Sequence, residues 1–516
     1  MSTPPTDAPP GSPPESLPPR AAPDAAVEAG RGALFIGMAK AFFMVSGFLQ
    51  QTLLARFVSV ADYGAFGVVN SVVSVVNNTA VQFTVQTVSR FAASDPTRVD
   101  AVKRAGLRLQ LGVGAILGLA FFFGAPLLAR FEGAPHYTLY FRIAAAIPFL
   151  YALYAVFIGA VNGQRLFRVQ AGFDMTFSMA KTLLLLGGAF FFGVTGALSG
   201  FALAAVFILG LAIRLIGVGR ADGEPFAVSR LGSFMLGVGV YNGLLNVALL
   251  YDQPLLHHLA AASGGEAPVV AGLYQAIRSL ALLPYQALIV VTFVIFPLVS
   301  RATFAADREA TRAYVTQTLR YALILAAAMA VPLAARPSSL LRVVYGALAE
   351  QPSLGEEGAR ALPILVAGEC CLALLSIGCA IFNAAGQALT AVLLMAVTVA
   401  VGIGSAYVLV PAAPAGAAQL VAAATATTAG MAAGLVVGLV VIFQRFRALP
   451  PAGSVLRIAG AGTLAVVVGR FLPGHGKLAS LLITVLVALI FLGVLVASGE
   501  FGPSDRAKFR KILRLG

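Results

Sequence analysis

Three cationic side chains stand in otherwise apolar stretches of the chain, and their chemistry is the most informative in the sequence. Lys40, Lys181 and Arg278 lie in segments long enough to cross a membrane. A charge at the middle of a bilayer costs about 2.5–3.5 kcal/mol on insertion scales, so these side chains are expected to face water, a partner or a ligand. Glu369 is the clearest buried acid, and Asp252 lies near a helix end. The interior is therefore predicted to be net cationic and to suit an anionic passenger.

Amide and hydroxyl side chains share helical faces with these charges, because positions three, four, seven or eight apart lie on one side of a helix. The candidate lining residues of a hydrophilic cavity are Lys40, Gln51, Asn70, Asn77, Asn78, Lys181, Asn242, Asn246, Gln275, Arg278 and Gln286. A single buried amide is better explained as a hydrogen-bonding contact between helices, but a stripe with an unpaired cation favours a cavity. Glu369 and Asp252 are the ion-coupling candidates, and Glu369 also fits a counter-ion or a structural partner.

These residues are carried by fourteen apolar stretches, each near the length of about 20 residues that a helix needs to cross a bilayer. The predicted helices are 33–55, 64–89, 109–129, 138–161, 175–193, 196–217, 232–256, 271–298, 318–335, 361–386, 389–410, 414–443, 454–472 and 478–497. Hydrophobic residues make up 59% of the chain and charged residues 11%, whereas soluble domains carry about 25% charged residues. The sequence predicts an all-α polytopic membrane protein and excludes a water-soluble globule.

The basic residues alternate from one side of the predicted membrane to the other. With the N-terminus inside, the tails and the loops on that side carry 24 Lys and Arg residues, and the opposite loops carry eight. The positive-inside rule explains this bias if both termini are cytoplasmic. The excess of 35 Lys and Arg over 21 Asp and Glu is therefore explained by membrane topology, and nucleic acid is not expected as a partner.

The first 30 residues differ in composition from the rest of the chain. Nine prolines fall within the first 28 residues, with almost no large apolar side chain, so this segment is predicted to be a disordered cytoplasmic tail. It has no basic start followed by an apolar run, so it is not read as a secretory signal.

Two stretches of the sequence resemble the oligosaccharide flippase family. LLARFVSVADYGAFGVVN, from Leu53 to Asn70, is similar to that family's "LAR" followed by "DYG-x-F". YDQPLLHHL (251–259), VVAGLYQAIRSLALLP (269–284) and FPLVSRA (296–302) are similar to its "YDQ", "GLY-x2-A" and "P-x2-S" segments. The family belongs to the multidrug, oligosaccharidyl-lipid and polysaccharide exporter superfamily.

The resemblance implies two pseudo-symmetric six-helix bundles around a central cavity, at 31–220 and 221–447, with two further helices and a basic cytoplasmic tail at 448–516. It implies a flippase of the bacterial cytoplasmic (inner) membrane that moves undecaprenyl-diphosphate-linked oligosaccharide repeat units by alternating access. The implied partners are this lipid-linked oligosaccharide, membrane lipids and polysaccharide-assembly proteins. No cofactor, metal or catalytic residue is expected.

A short internal repeat also favours two halves. Asp62-Tyr63-Gly64 follows the first predicted helix, and Gly272-Leu273-Tyr274 follows the seventh. Each leads into a helix rich in amides, as expected for the repeats of secondary transporters.

Three alternatives remain open from the sequence. The first is a multidrug or cation-coupled exporter of the same superfamily, which would favour acids over cations in its cavity. The second is a peptidoglycan-precursor flippase, which differs chiefly in its cargo. The third is a membrane polymerase or ligase of lipid-linked sugars, but His257 and His258 are predicted to lie in a loop with no catalytic partners nearby.

Overall fold

The computed structural model describes residues 22–220, 224–289, 308–349, 352–474, 476–502 and 505. Three predicted features lie wholly or largely outside the described residues: the tail up to residue 21, the FPLVSRA segment, and the basic C-terminal residues from Arg506 to Arg514. The end of the eighth predicted helix, beyond Ile289, lies outside them as well.

Sixteen α-helices make up almost all of the described chain. The first eight are α1 (Ala22–Phe57), α2 (Val60–Ser94), α3 (Val99–Phe131), α4 (Tyr137–Ala144), α5 (Ala146–Gly163), α6 (Phe167–Ile216), α7 (Val228–Leu250) and α8 (Asp252–Ala262). The other eight are α9 (Ala267–Ala281), α10 (Arg308–Ala335), α11 (Pro337–Ala349), α12 (Pro352–Ala384), α13 (Ala388–Ala412), α14 (Ala418–Phe446), α15 (Ala452–Phe471) and α16 (Lys477–Ala497).

The helices confirm an all-α polytopic membrane protein. Among the described residues, eleven helical segments are long and apolar enough to cross a membrane, and the two parts of a bent α7 would form a twelfth. One of the eleven, α6, contains two limbs, and α1 covers the first predicted stretch. Each of the fourteen predicted helices thus overlaps a helix of the structure.

The long helix α6 is a hairpin of two antiparallel limbs, 167–191 and 194–216. Phe192 and Gly193 leave the helical conformation between them, and Gly193 has φ +57°, which glycine adopts without steric cost. A Cβ placed on Gly188 would lie 2.6 Å from the carbonyl carbon of Gly196, so the limbs approach backbone to backbone. The predicted break between 193 and 196 is confirmed.

The helices before and after residues 221–223, here called the first half (α1–α6) and the second half (α7–α14), share one core. Helix α2 packs against α5 of its own half and also against α7 and α9 of the other. Buried Phe66 and Tyr63 of α2 belong to the same apolar cluster as Leu273 and Tyr274 of α9. The two halves therefore meet along α2.

The last two helices, α15 and α16, form a separate layer on α10. Ile324 and Val331 of α10 pack with Ala465 of α15 and with Val487 and Phe491 of α16. This cluster is distinct from the two larger apolar clusters of the halves.

Candidate translocation site

A break in the predicted seventh helix positions the charged residues of the site. Helix α7 ends at Leu250 and α8 begins at Asp252, so the predicted helix 232–256 is two helices. Pro254 explains the break, because proline has no N–H to donate to the carbonyl four residues earlier, and that carbonyl belongs to Leu250. Asp252 therefore lies in the first turn of α8 and is buried, with 4% of its surface exposed.

Asp252 and Arg278 form a buried ion pair between α8 and α9. The Arg278 Nε donates to both Asp252 carboxylate oxygens at 3.1 Å, and its Nη2 donates to the Leu249 carbonyl oxygen. Tyr274, one helical turn from Arg278, donates its hydroxyl to Asp252 Oδ2 at 3.0 Å. The expectation that Arg278 is unpaired is therefore wrong, because the helix break turns Asp252 towards it.

Glu369 of α12 is a third charged residue beside this pair. Its side chain is fully buried and interacts electrostatically with Arg278 and Asp252. Neither of its carboxylate oxygens has a hydrogen-bond partner among the described residues. Burial of an ionised carboxylate without hydrogen bonds is costly.

A polar contact joins the two halves through Gln51. Its Oε1 accepts hydrogen bonds from the Tyr63 hydroxyl at 3.3 Å and from Gln275 Nε2 at 3.2 Å. Gln51 and Tyr63 belong to the first half, and Gln275 lies on α9, three residues before Arg278. The structure thus brings two of the predicted lining residues together at the contact between the halves.

Gln253, which follows Asp252 in the YDQ segment, makes a second contact across the halves. It accepts a hydrogen bond from the Ser71 hydroxyl of α2 at 3.3 Å and donates to the Ala271 carbonyl at 3.3 Å. Gly67 allows this approach, because a Cβ on Gly67 would overlap the Gln253 amide. Neither Ser71 nor Gln253 is among the predicted site residues, although the YDQ motif contains Gln253.

The other predicted amides make local contacts. Asn77 donates to Asn78 Oδ1 at 3.4 Å, and the Asn77 Oδ1 is buried with no hydrogen-bond partner among the described residues. Asn242 and Asn246 donate to backbone carbonyls one turn earlier on α7. Two further candidates, Asn70 and Gln286, are half-buried.

Lys40 and Lys181 lie in the first half, and their contacts among the described residues do not include Arg278. Half-buried Lys40 of α1 interacts electrostatically with Asp174 of α6. The Lys181 ammonium lies 4.1 Å from the centre of the Phe201 ring, a cation–π contact between the two limbs of α6. The three predicted cations therefore do not form one cluster.

These contacts change the predicted charge balance. Asp252 and Glu369 accompany Arg278, and Asp174 accompanies Lys40, so the described interior is not net cationic. The sequence underestimated the acids, because Asp174 and Asp252 lie next to the predicted ends of helices. In this conformation the site is a closed polar contact between the halves, with buried charges on the second half.

A third polar contact crosses the halves near the first turn of α4. His257 Nδ1 lies 2.8 Å from Glu132 Oε2, and its Nε2 lies 3.3 Å from the Tyr137 hydroxyl. His257 and His258 lie on helix α8, so their predicted loop position is wrong. Burial raises the pKa of Glu132, against the opposing effect of its hydrogen bond with His257. At most 2% of each of these three residues is exposed, which leaves no access for a substrate.

Comparison with known proteins agrees with this architecture. Residues 53–348 match a family model described as "Polysaccharide biosynthesis protein". No protein with a curated description matches the chain in sequence.

Three solved transporter structures share the fold. The lipid II flippase MurJ, in an inward closed conformation, matches over 90% of this chain and 98% of its own, with a TM-score of 0.69 and 14% identity. A multidrug resistance MATE family transporter of the MOP superfamily, facing inward, matches over 82% and 98%, with a TM-score of 0.63 and 18% identity. A MOP superfamily transporter from Pyrococcus furiosus matches over 81% and 96%, with a TM-score of 0.61 and 16% identity.

Proposed function

Because the chain belongs to the polysaccharide biosynthesis protein family, we propose that it flips undecaprenyl-diphosphate-linked oligosaccharide repeat units across the cytoplasmic membrane. The family and the shared fold are those of membrane transporters and flippases, and not those of enzymes. The observation that carries the proposal is the polar contact between the halves, in which Gln51 and Gln275 meet beside the buried Asp252–Arg278 pair.

A polar contact of this kind suits halves that separate during transport. Buried amides and charges add little stability to a permanently closed interface, because their desolvation offsets most of their attraction. They become useful when the interface opens, since they then line a hydrated cavity. Sugar hydroxyls require the amide donors and acceptors that Gln51, Gln275 and Gln253 supply.

The diphosphate of the substrate requires positive charge during its passage. Arginine binds phosphate oxygens through paired hydrogen bonds, and lysine binds them as a point charge. In the open cavity Arg278 would exchange Asp252 for the diphosphate, and Lys40 would contribute a second charge from the first half. The prenyl chain would remain in lipid throughout.

Glu369 is the proposed coupling residue. The groups that face it are Asp252, Arg278, Tyr251 and Tyr285, with Cys370 next to it in the chain. Uptake of a proton or cation by Glu369 would leave Asp252 as the only counter-charge of Arg278. Release of that proton or cation would place two carboxylates beside one guanidinium, and this difference can bias the halves between two arrangements.

Three further features complete the proposal. We infer from the predicted charge bias that both termini are cytoplasmic. The proposed substrate implies the inner membrane of a bacterium. Enzymes that assemble the repeat unit and the polysaccharide are the proposed protein partners.

The proposal is tested in liposomes that contain the purified protein and a lipid-linked oligosaccharide in the inner leaflet. Oxidation of the exposed sugar by an impermeant reagent measures how fast it reaches the outer leaflet. Lys40→Ala is expected to slow this rate by about tenfold or more, the cost of one charge-assisted contact. Lys477→Ala is the matched control, because Lys477 is exposed at the start of α16. If folded wild-type protein moves no lipid-linked sugar, the proposal is wrong.

A cation-coupled multidrug exporter is the second candidate, and the acids beside Arg278 favour it. Asp252 and Glu369 are both buried, so the interior is less cationic than the sequence indicated. Uptake of an organic cation dye by the same liposomes, driven by a proton or sodium gradient and abolished in Glu369→Gln, would support this alternative. If the protein flips lipid-linked sugar but transports no dye, the multidrug exporter alternative is excluded.

A further inference from the structure

A cavity of about 350 Å³ lies between α3, α5 and α6 of the first half. Its walls are apolar and include Leu111, Leu153, Phe157 and Ile213. Arg104 and Arg108, one turn apart on α3, also line it. The volume is at the lower end of the range of about 300–1,000 Å³ that is usual for ligand sites.

Arg104, in the wall of this cavity, has an unused hydrogen-bond donor. Its Nη1 is buried and has no hydrogen-bond partner among the described residues. The nearby acid, Asp100, interacts electrostatically with Arg104 but is already engaged. Lys103 Nζ lies 3.0 Å from one Asp100 oxygen, and the Arg220 backbone N–H donates to the other at 3.0 Å. The Arg104 guanidinium therefore has capacity for an anion.

The predicted topology puts this cavity at the membrane surface, and the exposure of its apolar walls puts its opening towards hydrocarbon. The two arginines belong to the basic segment that precedes the third predicted helix, on the side that the positive-inside rule assigns to the cytoplasm. Leu111 and Ile213 on its walls are 52% and 46% exposed, as expected for side chains that contact lipid. An apolar slot with two arginines in its wall matches a molecule with an anionic head and a hydrocarbon chain.

We propose that this cavity binds a phosphate-bearing anionic lipid of the cytoplasmic leaflet. The phosphate accepts hydrogen bonds from Arg104 and Arg108, and a hydrocarbon chain lies against Leu111, Leu153 and Phe157. The apolar walls distinguish this site from a site for soluble phosphate, which would offer polar partners on several sides. Two lipid classes carry the required chemistry, anionic phospholipids and prenyl diphosphates. The site is separate from the contact between the halves and does not depend on the proposed transport function.

Native mass spectrometry of the full chain released from nanodiscs tests this site. The nanodiscs contain phosphatidylcholine alone, or with added phosphatidylglycerol or undecaprenyl diphosphate, and a fourth arm adds only inorganic phosphate to phosphatidylcholine nanodiscs. Wild-type protein is expected to retain one tightly bound lipid in either the phosphatidylglycerol arm or the undecaprenyl diphosphate arm. The arm in which a bound lipid is detected identifies the lipid class that occupies the cavity. Arg104→Gln/Arg108→Gln is expected to weaken this binding by about tenfold or more.

Three variants keep the result interpretable. Arg445→Gln is the matched control, since Arg445 is an exposed arginine at the end of α14 on the same predicted side. Arg104→Lys keeps the positive charge and should therefore retain much of the lipid binding. Arg108→Gln alone alters an exposed residue, so it remains informative if the double variant does not fold. Lipid binding that is equal in the double variant and in Arg445→Gln, or binding of inorganic phosphate as tight as that of lipid, would overturn the proposal.

Discussion

Gly64 of α2 and Gly272 of α9 lie in direct backbone contact across the two halves. A Cβ placed on Gly64 would lie 2.6 Å from the Gly272 amide nitrogen and closer still to the Pro268 carbonyl oxygen. A Cβ on Gly272 would overlap the Val60 carbonyl oxygen. These glycines belong to the two short segments that repeat in the sequence, so the repeated segments pack on each other. Only glycine permits helices to approach this closely.

We expect Gly64→Ala to destabilise the closed contact between the halves. The new methyl group meets backbone atoms, which cannot rotate away as a side chain would. Overpacking of this kind costs about 1–3 kcal/mol, so the thermal unfolding midpoint in detergent should fall. Gly210→Ala is the control, because nothing lies within 4 Å of its Cβ position. A midpoint of Gly64→Ala equal to that of Gly210→Ala would show that the halves are not packed this way in solution.

The pairing of Arg278 with Asp252 predicts unequal effects of removing each partner. Arg278→Gln leaves two buried carboxyl groups, Asp252 and Glu369, without a cation, whereas Asp252→Asn leaves Arg278 with Glu369 beside it. Removing one partner of a buried pair costs about 3–5 kcal/mol. We therefore expect a larger loss of thermal stability in Arg278→Gln than in Asp252→Asn.

The double variant Asp252→Asn/Arg278→Gln provides the check on this pairing. It should be more stable than the sum of the single losses predicts, because neither charge is left unpaired. Additive losses in unfolding midpoints would contradict the ion pair. Lys477→Gln is the control for the loss of an exposed charge.

Hydropathy was sufficient to locate the transmembrane helices, because twenty-residue apolar stretches have few alternatives in a membrane. The hairpin of α6 was predicted at the right place. Gly430, Gly434 and Gly438 recur at helical spacing on α14. Gly430 lies against Gly402 of α13, where a Cβ would be 2.6 Å from the Gly402 Cα.

The pairing of the charged residues was not predictable from helical periodicity. Periodicity places residues on a face of one helix, but Asp252 lies on α8, whose start is set by the break at Tyr251, and Arg278 lies on α9. Pro254 was a signal for that break, since proline opens a helix more often than it continues one. Glu132 and His257 are 125 positions apart, and no local pattern relates them.

Glu132 predicts a pH dependence of the contact between the halves near α4. Burial raises the pKa of Glu132 above its ordinary value near 4.5, so the closed arrangement binds a proton more readily than an unfolded or open one. The stabilising effect of this protonation is complete below that ordinary value and is lost as pH rises through the raised pKa. The unfolding midpoint of wild-type protein relative to Glu132→Gln should therefore increase as pH falls from 7 towards 4.5.

Tyr137, His257 and His258 face Glu132, so they require a control. Adding His257→Gln to both proteins removes the hydrogen-bonded imidazole, and the difference due to Glu132 should keep its sign. A midpoint difference that does not change with pH would contradict the assigned pKa direction.

The C-terminal helices are fixed to α10 by a cluster with the opposite pH dependence. Glu500 Oε1 accepts a hydrogen bond from Arg320 Nε at 2.7 Å, and Arg457 lies 3.3 Å from the other Glu500 oxygen. Asp505 accepts from Arg320 Nη2 at 3.1 Å and from the Tyr321 hydroxyl at 2.5 Å. Burial alone would raise the pKa of Glu500, but hydrogen bonds from Arg320, Ser454 and Arg457 outweigh it and hold that pKa below its ordinary value.

Glu500→Gln should therefore lower the stability of the C-terminal layer at neutral pH, by about 1.5–3 kcal/mol for the loss of a charged hydrogen bond. A carboxylate with a lowered pKa stabilises the protein above its ordinary pKa, and this contribution is lost as pH falls through the lowered value. The advantage of wild-type protein over Glu500→Gln should shrink on acidification, whereas its advantage over Glu132→Gln should grow. Limited proteolysis between α14 and α15, followed over the same pH range, measures the difference between wild-type protein and Glu500→Gln. Glu309→Gln, a change at an exposed acid of α10, is the control. Equal proteolysis of wild-type protein and Glu500→Gln at pH 7 would show that the cluster does not hold the two helices.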